Sequence, residues 1–243
     1  MGYFDQLQHE AFQFRKTFDD TKASSGVDFD WYPYDTIANL DHLAPLITPE
    51  IDGLFAGGHR FADIGAADGA LGYFLERNNN HVDFYDYGPT NYNSLRGLRK
   101  LSEMLNSQGT IYELDLDSQF QIHSTYDFAM FLGILYHVKN PFYILEQLSQ
   151  RFKYMAVSTR VVRHFNATSP EMSGYTASYL VGPQESNNDS TNYWMFTDAG
   201  LKQLFDRTGW DIVSYRTVGD TQTSNPQDSN RDERAFAILR SKR

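Results

Sequence analysis

The stretch from His59 to Glu76, HRFADIGAADGALGYFLE, sets two carboxylates, Asp63 and Asp68, beside and within a turn that carries Gly65 and Gly69. "RFADI" reads as a strand and "ALGYFLERN" as a helix, so the turn joins strand to helix. In doubly wound sheets such a turn cradles ligands, which bind at the C-terminal ends of the strands. Gly65 allows a turn conformation that a Cβ would oppose, and Gly69 lets the helix start close to the strand. A dinucleotide turn, Gly-x-Gly-x-x-Gly counted from Gly65, needs glycine two and five residues on. This chain has Ala67 and Ala70 there. Carboxylates at these places repel a pyrophosphate and suit a ligand with ammonium and sulfonium charges.

The elements that must hold this turn alternate. "HVDFYDY" reads as a strand, "YNSLRGLRKLSEML" as a helix, "TIYELDL" and "YDFAMFLGI" as strands, "NPFYILEQLSQR" as a helix and "KYMAVSTRVV" as a strand. That order implies a parallel sheet with helices on both faces. Upstream, Phe4, Leu7, Ala11, Phe14 and Phe18 recur at helical spacing, and a second helix is predicted from about Thr36 with Asp35 as its N-cap. Residues 163–194 break the rhythm with glycine, proline and the polar run "ESNNDSTN", and read as a lid-like insertion. "TDAGLKQLFDRTG" is predicted as a helix capped by Thr197 and ended at Gly209, followed by the strands "WDIVSYRTV" and "RAFAILRS". The organisation predicted is a helical cap over residues 1–55 and one α/β domain over 56–243.

The 243 residues carry a formal net charge of -10. That balance argues against a large nucleic-acid footprint, which needs a basic patch. The chain has no cysteine, which excludes disulfides and thiolate chemistry and fits a reducing compartment. No basic segment precedes an apolar run at the N-terminus, and the longest apolar stretch falls short of the roughly 20 residues a membrane span needs. A cytoplasmic location is expected. The histidines show no His-x-x-x-His spacing, so no metal site is expected.

The run Asp63-Ile64-Gly65-Ala66-Ala67-Asp68-Gly69 resembles the first motif of class I S-adenosylmethionine-dependent methyltransferases, with Ala67 in place of a glycine. The resemblance implies a Rossmann-like, seven-stranded, mainly parallel sheet whose last strand is antiparallel. It implies that S-adenosylmethionine lies on Gly65, Ala66, Ala67 and Gly69, with Asp63 ordering its amino group directly or through water. An acid ending the second strand would take the ribose hydroxyls. Asp86 stands at the predicted strand end and Asp83 inside it, so Asp86 is chosen. After the third strand Asp115 and Leu116 are placed by the adenine, and after the fourth Leu132 and Gly133 by the methionine moiety. "GILYHVKNPFYILEQL", "WYPYDTIANLDHLAPLI" and "NYWMFTDAGLKQLFDRTGWDIV" resemble the tRNA wobble-uridine carboxymethyltransferase group, whose cofactor is carboxylated. Arg160 and Arg163 are the candidates for such an extra carboxylate.

Methyl transfer needs an aligned nucleophile and exclusion of water. His137 is the candidate base, since imidazole titrates near neutrality; the alternative is a helix cap or a residue packed under the lid. Tyr136 either orients the acceptor or is core. Trp31, Tyr32 and Tyr34, with Tyr193 and Trp194, either close over the acceptor or pack the N-terminal helix. Arg160 either binds an acidic substrate or pairs with a lid carboxylate. The reading is transfer of a methyl group to a hydroxyl or amine of a small molecule. An RNA-modifying enzyme, a non-catalytic cofactor-binding protein and a nicotinamide oxidoreductase are the alternatives, the last opposed by Ala67 and Ala70.

Overall fold

The expected apolar stripe forms. In the computed structural model, which describes residues 2–77 and 79–243, α1 (Tyr3–Ser24) buries Phe4, Leu7, Ala11, Phe14 and Phe18. Its start is capped from a distance: the Asp52 carboxylate accepts the backbone N–H groups of Tyr3 (3.0 Å) and Phe4 (2.8 Å), two of the donors every helix start leaves open. Asp35 caps as predicted, accepting from the N–H groups of Ile37 and Ala38, but the turn it opens is a 3₁₀ helix, Thr36–Ala38, that runs into the short α2 (Asn39–Leu43). Another short helix, α3 (Pro49–Asp52), follows.

The chain divides into two compact units, Met1–Met130 and Phe131–Arg243. In the first, β1 (Arg60–Ile64), α4 (Ala70–Glu76), β2 (His81–Asp86), α5 (Arg96–Leu105), β3 (Ile111–Glu113) and β4 (Tyr126–Leu132, which carries the chain into the second unit) alternate as predicted. β1 pairs in parallel with β2 on one side and β4 on the other, and β2 pairs in parallel with β3. Strand order therefore reverses at β1, and the turn after β1 stands at the switch point.

Two predicted boundaries move. The helix expected from Tyr92 begins only at Arg96, because Ser94 and Leu95 take left-handed conformations (φ +58° and +64°). The turn there is organised by Asn91, whose Oδ1 accepts from the N–H groups of Asn93 and Leu95. β3 is shorter than predicted, ending at Glu113, and a turn follows at residues 116–117.

The second unit holds α6 (Pro141–Leu148), β5 (Phe152–Val161), β6 (Ser178–Leu180), β7 (Trp194–Phe196), α7 (Asp198–Arg207), β8 (Trp210–Gly219) and β9 (Glu233–Ser241). β9 runs antiparallel to both β5 and β8. Seven main strands, β1 to β5 with β8 and β9, thus make the mainly parallel arrangement with its last strand antiparallel. The segment predicted as a lid contributes β6, which pairs antiparallel with β7. Among the described residues no helix is long and apolar enough to cross a membrane.

Thr197 holds α7 to this segment. Its hydroxyl accepts from the N–H groups of Gly200 and Ala177, both at 3.1 Å, and its one proton lies between the carbonyls of Tyr175 and Ala177. The residue is fully buried. Thr197→Ala should therefore lower unfolding stability by about 1–2 kcal/mol, seen as a lower urea midpoint. Thr197→Ser should recover most of it.

Candidate active site

The turn after β1 is built from backbone held on both sides. Gly65 has φ +75° and Gly69 +80°, as a tight turn requires. The close approach of helix and sheet falls on Gly72 rather than on Gly69: a Cβ at Gly72 would lie 2.3 Å from the Phe84 ring and 3.0 Å from Asp63 Oδ2. Gly72 N–H donates to that same Asp63 oxygen at 3.1 Å.

Ala67 also has a positive φ, +54°. For a residue with a Cβ this costs about 1–2 kcal/mol. Its backbone is pinned: its N–H donates to Asp86 Oδ2 at 2.8 Å and its carbonyl accepts from Asn91 Nδ2 at 3.2 Å. The methyl group at 67 is thus held in place by bonds rather than merely accommodated. The neighbouring amides are engaged too, Gly65 and Ala66 to the Tyr85 carbonyl and Gly69 to the Ala66 carbonyl. A pyrophosphate is held by free N–H groups, and these four donate inward.

Asp63 is the penultimate residue of β1 and is 6% exposed. Burial pushes its carboxyl up to about 7, against the Gly72 N–H, and the charge of Asp86 adds to the rise. A cation placed against it would restore the ionised form. Asp86 ends β2. Its Oδ1 accepts from Tyr87 N–H at 2.7 Å, and its Oδ2 from Ala67 N–H and from Asn91 Nδ2 (3.0 Å). Oδ1 keeps a lone pair for another donor. Burial also raises this carboxyl above its ordinary value. Asp83 lies mid-strand, 1% exposed, and is bonded to Tyr126 Oη, His81, Arg60 and Thr110 N–H.

Asp68 is placed differently from the sequence reading, which set it in the turn as an attractor for a cationic ligand. Its buried carboxylate accepts from Tyr32 N–H (2.7 Å) and Asn93 Nδ2 (2.8 Å) and pairs with Lys22 at 3.2 Å. The cation it attracts is this chain's own. Lys22 also lies 5.3 Å from the Trp31 ring centroid, and Tyr32 packs edge-on against Tyr34 and Tyr92. Trp31, Tyr32 and Tyr34 are thus one aromatic group anchored at Asp68, with Tyr34 largely exposed. Asp115 heads a turn, its Oδ1 accepting from Asp117 N–H at 2.9 Å, and Leu116 within that turn is half-buried.

In the second unit, Leu132 ends β4 and Gly133 (φ +76°) donates to the Ser158 carbonyl at 3.0 Å. A 3₁₀ turn, Leu135–His137, follows. Tyr193 N–H donates to the Tyr136 carbonyl at 2.8 Å and Trp194 Nε1 to the Lys139 carbonyl at 3.3 Å. His137 Nδ1 stands 3.0 Å from both the carbonyl and the Oγ1 of Thr191, and that hydroxyl donates to Asp189 Oδ1 at 2.6 Å. A carbonyl only accepts, so Nδ1 carries the proton and Nε2 keeps its lone pair. Burial lowers the imidazole pKa, the charges of Arg160 and Arg234 lower it further, and Thr191 and Asp189 oppose them. His137 is therefore neutral near pH 7.

Arg160 is 5% exposed in its side chain and lies against Asp232, before β9, while the charge of Asp189, in the 163–194 segment, also reaches it. Arg163, offered above as a partner for an extra carboxylate, is already occupied: it pairs with both oxygens of Glu233 at 2.9 Å and with Glu171. Sequence reading missed Asn91, Thr191 and Arg234. Of these only Asn91 left a trace, as an Asn within a turn-forming run. Among the described residues no group of three acidic or histidine side chains is placed to hold a metal.

No protein-family model and no curated protein matches the chain. Solved structures do. A S-adenosylmethionine-dependent methyltransferase from Mesorhizobium loti superposes with a TM-score of 0.62 at 15% identity, over 84% of this chain and 97% of that one. Coclaurine N-methyltransferase, solved with N-methylheliamine and S-adenosylhomocysteine, gives 0.60 at 12% identity, over 98% and 87%. The N-terminal domain of EvdMO1 with S-adenosylhomocysteine gives 0.57 at 15%, over 94% and 97%. The fold of this chain is the Rossmann-like fold of the S-adenosylmethionine-dependent methyltransferases.

Proposed function

We propose that the protein is a S-adenosylmethionine-dependent methyltransferase acting on a hydroxyl or amine of a small molecule. The observation that carries this reading is the turn at the switch point. It pairs a buried carboxyl, Asp63, with a second acid, Asp86, at the next strand end, while four of its amides donate inward. Such a site favours a cationic, hydroxyl-bearing ligand over a pyrophosphate. The net charge of -10 favours a small acceptor over tRNA. A small-molecule N-methyltransferase among the structural neighbours supports the same choice.

Bound S-adenosylmethionine supplies a methyl group already activated by a sulfonium. Asp63, once ionised, would hold the amino group. The free lone pair of Asp86 Oδ1 would accept from a ribose hydroxyl. Asn91 and the Ala67 N–H hold Asp86 for that task. Gly65, Ala66, Ala67 and Gly69 would form the floor of this cradle and Asp115 and Leu116 would flank the adenine; Leu132 and Gly133, in the second unit, are the residues proposed for the methionine part. With cofactor and acceptor bound, His137 Nε2 would take the acceptor's proton as the methyl group leaves the sulfonium, releasing S-adenosylhomocysteine, and Tyr136 would orient the acceptor. Trp31, Tyr32, Tyr34, Tyr193 and Trp194 shield the acceptor from water.

Calorimetry with S-adenosylmethionine, S-adenosylhomocysteine and NAD tests the ligand class. The first two should bind; binding of NAD alone would refute the reading. Asp86→Ala should weaken both by about tenfold or more, as expected on removing hydrogen bonds to a charged group.

Asp63 gives a second signature. An unfolded aspartate ionises near 3.9, whereas the folded one is held near 7. Between these values the folded state keeps a proton that the unfolded state has lost. This stability is therefore present below about pH 4 and fades as pH rises towards 7. An ammonium group against Asp63 favours the ionised form, so binding near pH 6.5 should release a proton. Heats measured in buffers of different ionisation enthalpy should show it, and Asp63→Asn should abolish it.

For His137, kcat should rise through a pKa below 6.5 and stay flat at neutrality. His137→Ala should lower kcat with little change in cofactor affinity, measured as S-adenosylhomocysteine release over a panel of hydroxyl and amine acceptors. Unchanged kcat would remove it as the base.

A further inference from the structure

In the antiparallel pairing of β5 with β9, Arg160 stands directly opposite Arg234. Like charges so placed oppose folding unless something offsets them. Both guanidiniums lie over one ring: Arg160 Cζ is 5.7 Å and Arg234 Cζ 5.6 Å from the Tyr136 centroid. Arg234 also donates to the Tyr136 hydroxyl at 3.4 Å. A single carboxylate serves the two, with Asp232 Oδ1 at 3.1 Å from Arg160 Nε and Oδ2 at 3.2 Å from Arg234 Nε. Asp189, the other acid whose charge reaches Arg160, is tied to the N–H and hydroxyl of Thr191 and lies near His137.

Arg160 is the unfinished member. Its side chain is 5% exposed, yet its Nε is out of line with Asp232 and has no hydrogen-bond partner. Arg163, three residues on, shows the finished alternative, with Glu233 and Glu171 around its guanidinium. Buried arginines normally meet planar oxyanions through paired N–H groups.

We infer that Arg160, Arg234 and the Tyr136 hydroxyl form a binding site for a carboxylate carried by the acceptor. The inference rests on the methyltransferase reading and narrows it to small anionic acceptors. The rings of Tyr136 and His137 are 4.2 Å apart between centroids. A carboxylate docked on the arginines therefore lies beside the proposed base, and the methylated hydroxyl or amine is only a few bonds from it.

The test uses the full chain, with and without saturating S-adenosylhomocysteine, titrated with benzoate, its neutral counterpart benzamide, and inorganic phosphate. Benzoate should bind, should shift the His137 imidazole resonances and should raise the His137 pKa by screening the arginines; benzamide should do none of these. Arg234→Gln, at the less buried arginine, should weaken benzoate at least about tenfold and leave S-adenosylhomocysteine affinity unchanged. Arg160→Lys is the second variant, which keeps the charge but not the paired donors.

Equal binding of benzoate and benzamide would overturn the inference. So would phosphate binding without benzoate binding, or benzoate affinity unmoved in either variant while its circular dichroism stays native. Were a carboxymethyl-sulfonium analogue of the cofactor to gain affinity over S-adenosylmethionine, and to lose that gain in Arg234→Gln, the anion would belong to the cofactor and the inference would fall. Absence of S-adenosylhomocysteine binding would count against the methyltransferase reading instead, and the titrations of the unliganded chain would still decide the carboxylate site.

Discussion

The carboxylate of Asp86 joins three pieces of chain at one point. It ends β2, receives the Ala67 N–H from the turn after β1, and receives Asn91 from the loop before α5. The turn depends on it. Ala67 sits in a left-handed conformation that its Cβ disfavours, and the hydrogen bonds to its backbone outweigh that cost. Asn91 in turn sets the start of α5 through its other side-chain atom. One acid therefore determines both the shape of the cradle and the geometry of its wall. Its raised pKa reflects the desolvation that this position demands.

The second unit, taken by itself, gathers positive charge. Its strand pair brings two arginines to the face of Tyr136, and burial of the His137 imidazole, with the charges of those arginines adding, lowers its pKa. The loop bearing Thr191 fixes which nitrogen of that imidazole carries the proton. A base needs both conditions at once: a lone pair at the right nitrogen, and a pKa low enough to leave it free. The sequence neighbours of His137 supply neither. The tautomer comes from Thr191, more than fifty positions along the chain, and the lowered pKa from burial together with Arg160 on β5 and Arg234 on β9.

Much of the fold was legible because it follows from period and punctuation. The α1 stripe, the Asp35 and Thr197 caps, the alternation of strand and helix, and the position of Asp86 at a strand end all follow from local pattern. Starts and stops were less legible where a side chain reorganises the backbone, as Asn91 does ahead of α5. The site was readable where chemistry and chain position coincide, in Asp63 and Asp86. It was not readable where a charge has a distant partner. Asp68 and Arg163 look free in the sequence and are satisfied in the fold, by Lys22 and by Glu233. Arg234 drew no notice because only strand register sets it opposite Arg160. Local sequence reports that a charge exists, and tertiary pairing decides whether it is available.

The bond between Asp68 and Lys22 has a consequence for the start of the chain. Asp68 is nearly without solvent, and its counter-charge comes from the last turn of α1. A chain shortened past residue 22 would leave that carboxylate buried with no cation, a state that proteins avoid by taking up a proton or by opening. The N-terminal helix is therefore no detachable appendage on a self-sufficient sheet. It acts as an electrostatic plug for the loop on which the cradle stands. The opening residues and the turn forty positions later must be inherited together.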